Sequence, residues 1–136
     1  MSSKLKLKTH LAICTEPFLS MILSGKKKVE SRFSKNKIAP YDKVSKNDLV
    51  ILKKSGGKVM GSFCVKRVEY FEIKNKKTLK ELENKYSKII CADAEPNFWQ
   101  KRISARYASF IWIEKLTPLK SFPINKSGRS GWRILK

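Results

Sequence analysis

Thr15-Glu16-Pro17-Phe18-Leu19-Ser20-Met21-Ile22-Leu23-Ser24-Gly25-Lys26-Lys27-Lys28-Val29-Glu30-Ser31-Arg32-Phe33 is the stretch on which the fold turns. Pro17 suits a first helical position, where a missing N–H costs nothing, and Phe18, Leu19, Ile22 and Leu23 draw one apolar stripe. A short helix follows. Gly25 supplies the left-handed residue that ends such a helix, and the three lysines after it meet the negative end of its dipole. Val29, Ser31 and Phe33 then alternate with Lys28, Glu30 and Arg32, the period of a strand. The expectation is that Lys27, Glu30 and Arg32 are thrown out beside a glycine hinge, where they form a site.

Working outward, 136 residues with 41% hydrophobic and 10% aromatic content suffice for one core, hence one domain over 8–136 behind a loosely ordered basic segment, 1–7. The 31 lysines and arginines against 11 acids give a formal charge of +20, shared equally between the chain before and after residue 58. So the charge is not a detachable tail. Compositional drift toward lysine accounts for such numbers as well as selection does, but the field attracts polyanions either way. Cys14, Cys64 and Cys91 are odd in number and set among apolar neighbours, which indicates reduced thiols and no disulfide framework. With His10 the sole histidine, no zinc-ligand spacing exists, and no metal or cofactor is expected. No apolar run approaches the length of a membrane span. A cytoplasmic protein of unspecified oligomeric state, with no membrane partner, is the expectation.

Along the chain, His10 to Cys14 reads as a buried strand, and 34–46 as a polar connecting loop. Leu49 to Leu52, the turn Ser55-Gly56-Gly57-Lys58, and Val59 to Phe71 form a β-hairpin whose second arm is long enough to call for a bulge and a strongly curved sheet. Gly56-Gly57-Lys58 lacks the spacing of a phosphate loop. Thr78-Leu79-Lys80-Glu81 has capping-box spacing and starts a second helix, and Asp93 to Ile103 holds a third. Tyr107 to Leu116 reads as a central strand, Pro118 and Pro123 break the chain, and Trp132 to Leu135 is a last short strand. Five or six strands with inserted helices define an α+β fold whose curved sheet closes into a small barrel.

At the site, Glu30 and Arg32 share a strand face, so Glu30 either holds Arg32 in place or joins it in gripping a ligand. In the binding reading a cation holds a phosphate or carbonyl while Glu30 accepts from an exocyclic amine or a ribose hydroxyl. In the catalytic reading Lys27, next to another cation, shifts toward neutrality and acts as a base with Glu30. Trp99 and Trp132 lie among cations and are candidates to stack on an unpaired base, whereas Trp112 reads as core. Lys26, Lys28, Arg102, Arg106, Arg129 and Arg133 extend the basic surface or merely solvate it.

Pro17-Phe18, an apolar helix, then Gly25, Lys27, Val29-Glu30 and Arg32 resemble the signature of the ASCH domain family, a PUA-like group. Asp48, Gly61 and the ending Arg129-Ser130-Gly131-Trp132 are similar to parts of that family too. The resemblance implies a β-barrel with packed helices and a cleft lined by the Gly25-to-Arg32 segment. It also implies a nucleic-acid-binding module, RNA favoured over single-stranded DNA, that takes an unpaired or modified base or a nucleoside. The alternative it implies is an enzyme, either an amidohydrolase of N4-acylated cytidine or a ribonuclease. The hydrolase version uses a lysine, matched by Lys27, a threonine whose place Glu30 takes, and a distant glutamate for which Glu81 and Glu83 are the candidates. A protein-interaction adaptor is a third reading.

Overall fold

The computed structural model describes residues 6–122 and 130–135. Six strands, β1 (Thr9–Cys14), β2 (Val29–Ser34), β3 (Leu49–Lys54), β4 (Val59–Glu72), β5 (Tyr107–Phe122) and β6 (Trp132–Ile134), form one sheet in the order β2-β5-β4-β3-β1-β6. Only β1 and β3 are parallel; the other neighbours are antiparallel. Helix α1 (Phe18–Leu23) connects β1 to β2, and α2 (Lys76–Tyr86) follows β4. The sheet curls into a half-barrel. Its curvature comes from the β4–β5 pair, whose register shifts three times, since each extra residue in one arm bends the ladder. Val59, Gly61, Phe63 and Val65 face inward as their alternation demands, and a β-carbon on Gly61 would lie 2.9 Å from Leu23 Cδ2, so α1 seats directly on that glycine.

β2 partitions two cores. Glu30 and Arg32 share a face with Ile111 and Ser109 of β5, toward the inside of the curl, where Ala12, Leu19, Val50, Phe63 and Trp132 pack. Val29 and Phe33 turn the other way, toward a second core of α2 residues Leu79, Leu82 and Tyr86 with Phe98 and Phe110. Edge strand β6 is pinned by a buried relay: Trp132 Nε1–H donates to His10 Nδ1 at 3.0 Å and His10 Nε2 meets Asp48 Oδ2 at 2.8 Å. Since Nδ1 accepts from the indole, it is Nε2 that donates to Asp48. Burial opposes the Asp48 charge, but the His10 ring and the Lys8 and Ser45 amides outweigh it and hold the carboxyl below its usual 3.8.

Several elements differ from the sequence reading. Pro17 precedes the first helical residue of α1 instead of filling it. Helix α2 starts before Thr78 because Asn75, not Thr78, is its cap, with Oδ1 accepting the Thr78 amide at 2.9 Å. The expected third helix is two 3₁₀ turns, Ala92–Ala94 and Gln100–Arg102. Pro96 is the reason: it forces Glu95 into an extended conformation, and Asn97 takes positive φ. β5 runs through Pro118 to Phe122; β2 pairs only with its first six residues, so Pro118 lies where the strand has β4 on one side and no strand partner on the other, a place a proline tolerates. Residues 1–5 and Pro123 and Arg129 lie outside the described residues.

Candidate functional site

Arg32 joins the two ends of the open sheet. From edge strand β2 its Nη2 donates to the Ile13 carbonyl of β1 at 3.0 Å, and its Nη1 to the Gly131 carbonyl before β6 at 3.3 Å. One guanidinium thus spans the seam where strand pairing stops. Glu30 aims it, with Oε2 accepting from Arg32 Nε at 3.0 Å and Nη2 at 2.9 Å, while Oε1 accepts the Ser31 amide at 3.1 Å. Trp132 backs the guanidinium from 5.2 Å.

Lys27 is not thrown outward: it is 2% exposed, and Glu30 only 6%. The chain beyond Gly25 folds back so that the Lys27 amide donates to the Met21 carbonyl at 2.9 Å, which turns the side chain inward. Its ammonium donates to the Ile90 carbonyl, stands 3.7 Å from Glu30 Oε1, and sits 4.9 Å from the centroid of Phe18. Burial pulls the Lys27 pKa below its usual 10.5, with Glu30 opposing.

Over the seam lies a cleft of about 420 Å³, within the range of small-ligand sites, about 300–1,000 Å³. Lys27, Glu30 and Arg32 lie along it, Ile13, Cys14 and Thr15 on one side, and Phe18, Phe33 and Phe98 on the other. Phe98 meets Phe18 and Phe33 edge to face at 6.2 and 5.7 Å, and the three form an aromatic wall. Arg102 lies 3.6 Å above the Phe98 ring, bonded to Glu95 at 2.8 Å, and Lys101 is 3.7 Å from the same carboxylate. The Arg102 hydrogen bond keeps Glu95 below its usual carboxylate range. Cys14, pushed up to about 12 by burial, keeps its proton.

The structure brings together Lys27, Glu30, Arg32 and Arg102 and leaves the rest apart. Lys26 and Lys28 are exposed and do not line the cleft; nor does Arg133, half-buried on β6. Trp132 is 3% exposed with its N–H engaged by His10, so it has no open face for a base and instead supports Arg32. Trp99 backs the wall, 5.6 Å from Phe33 and 5.1 Å from Phe98, its N–H on Ser87 Oγ at 2.8 Å. Trp112 is half-buried under Arg67, which lies 4.0 Å from its ring. Glu81 and Glu83 lie on α2 and do not line the cleft; its second carboxylate is Glu95, which the sequence reading missed. A glutamate seven residues before an arginine in a non-helical stretch carries no recognisable spacing.

The sequence matches the ASCH domain over residues 13–114, and the chain belongs to the ASCH domain family. Its fold is similar to the crystal structure of ASCH from Zymomonas mobilis, at TM-score 0.71 and 14% identity, over 95% of this chain and 88% of that one. A serine-to-alanine variant of the same Zymomonas mobilis protein gives TM-score 0.72 at 14% identity, over 95% of this chain and 89% of that one. At such identity the likeness is one of fold. No curated protein matches the chain by sequence. Among the described residues no helix is long and apolar enough to cross a membrane.

Proposed function

We propose that the protein binds RNA and takes an unpaired base into the cleft over the seam. The observation that carries this reading is the union, in one hollow, of an aromatic wall and buried charged donors held rigid by the protein itself. Phe18 and Phe33 supply apolar faces on which a base rests, and the ammonium and guanidinium edges meet carbonyl oxygens or phosphate. Because both Glu30 oxygens already accept from Ser31 and Arg32, Glu30 acts chiefly by orienting its neighbours. Lys101 and Arg102 at the rim, in a chain of formal charge +20, suit the flanking phosphates.

Fluorescence anisotropy of a labelled single-stranded RNA over a salt series tests this. Affinity is expected to fall steeply with salt, and Lys101→Ala is expected to lower the log–log slope by about 0.7, the share of one phosphate on a single strand. Affinity independent of salt and of Lys101 overturns the proposal.

A second reading has its own observation: a lysine drawn toward its neutral form opens onto the same cleft as a second carboxylate, Glu95. That pairing suits an amidohydrolase of N4-acylated cytidine, with Lys27 taking a proton from water. Loss of N4-acetylcytidine absorbance in wild type but not in Lys27→Ala supports it; no turnover in either refutes it.

A further inference from the structure

A second hollow, of about 230 Å³, adjoins the cleft and shares Arg32 and Phe33 with it. No carboxylate lines it; its polar groups are Arg32, Ser34, Tyr41, Ser109 and Ser130. Ser109 stands opposite Arg32 in the β2–β5 register, so both project from the same face of the sheet. Ser109 is 1% exposed, and its hydroxyl has no hydrogen-bond partner among the described residues. No wholly buried side-chain polar atom there goes unpaired, so this hydroxyl opens onto the hollow. The Tyr41 hydroxyl likewise has no partner, and Lys37 Nζ stands 6.0 Å from the Tyr41 ring. Arg32 spends Nε and Nη2 on Glu30 and one Nη1 proton on Gly131, which leaves its second Nη1 proton unused among the described residues.

A guanidinium N–H and two hydroxyls without partners, with no carboxylate in the lining, suit a tetrahedral oxyanion. The geometry points to this hollow as the seat of the phosphate belonging to the nucleotide whose base lies in the cleft, with Arg32 serving both. The inference rests on the base-binding reading. It makes the recognised unit a nucleotide, in which base and phosphate straddle one arginine.

Competition against a labelled single-stranded RNA tests it, using the four ribonucleosides and their 5′- and 3′-monophosphates, on wild type and on the Ser109→Ala/Tyr41→Phe double variant. Both replacements keep the side-chain frame, and an unchanged melting temperature verifies folding. A monophosphate is expected to compete about tenfold better than its nucleoside with wild type, that advantage is expected to vanish in the double variant, and the double variant is expected to bind RNA about tenfold more weakly. Equal competition by nucleoside and monophosphate, or RNA affinity of the double variant within about twofold of wild type, overturns the phosphate hollow and leaves the base cleft standing. An advantage that survives the double substitution places the phosphate elsewhere and overturns it too. Absence of RNA affinity in wild type removes both readings together.

Discussion

Glu30→Gln is the substitution on which the account of the cleft exposes itself most. The Glu30 side chain is 7% exposed, with the Lys27 ammonium 3.7 Å away at 1% exposure and the Arg32 guanidinium 2.9 Å away at 19%. Taking away the single negative charge while keeping the shape leaves two cations facing each other with little water between them. Breaking a buried pair by removing one partner costs about 3–5 kcal/mol, so the melting temperature of a chain this size drops by roughly 10–20 °C. The loss depends on pH in a definite direction. Lys27 has a folded pKa below its usual 10.5, so between the two values the unfolded chain holds more protons and stability climbs as pH rises. Without Glu30, which opposes that depression, the window extends to lower pH. Urea midpoints at constant m should therefore show the gap between wild type and Glu30→Gln widest near neutrality and narrowing as pH rises and Lys27 discharges. Adding Lys27→Met to the variant should restore most of the loss. A deficit below about 1 kcal/mol, or a gap that does not change with pH, would refute the reasoning.

Other substitutions test the frame around the site. Gly61→Ala would place a β-carbon 2.9 Å from Leu23 Cδ2 and 3.1 Å from the Thr117 carbonyl, so a loss of about 1–3 kcal/mol in thermal unfolding is expected. Asp48, depressed below 3.8, contributes fully above that pH and ceases to contribute as pH falls through its folded value; Asp48→Asn should lower the urea midpoint at neutral pH and flatten its acid limb. Asn75→Ala removes the α2 cap and should cost about 1 kcal/mol by the same assay, whereas Thr78→Val, if Asn75 is the cap, should cost less.

What was legible in the sequence was what local periodicity encodes. Alternation along 59–71 marks a curved strand because Val59, Gly61, Phe63 and Val65 must share a buried face, and Gly25 announces its left-handed turn at φ 82°. That Lys27 lies close to Glu30 and Arg32 was legible, but not that its side chain is buried. Three successive lysines look alike to solvent until the Met21 carbonyl captures the middle amide. The role of Arg32 as a latch depends on the Gly131 carbonyl, 99 residues away, which no local pattern announces. Tryptophans suggested stacking by size and charged neighbours, yet Trp99 and Trp132 are supports, and the faces on the cleft belong to phenylalanines that no spacing singled out. Extension of β5 past Pro118 follows from which of its edges is unpaired, a property of the sheet and not of the strand.

The measurement closest to the central claim is ¹⁹F NMR of protein carrying fluorophenylalanine, titrated with single-stranded RNA, with resonances assigned by single Phe→Leu replacements. A base entering the cleft should move the Phe18 and Phe33 signals saturably, with the same midpoint as anisotropy, and leave Phe63, enclosed in the barrel core, where it was. If RNA binds while the Phe18 and Phe33 signals stay fixed, contact is confined to the basic exterior and the cleft takes no base.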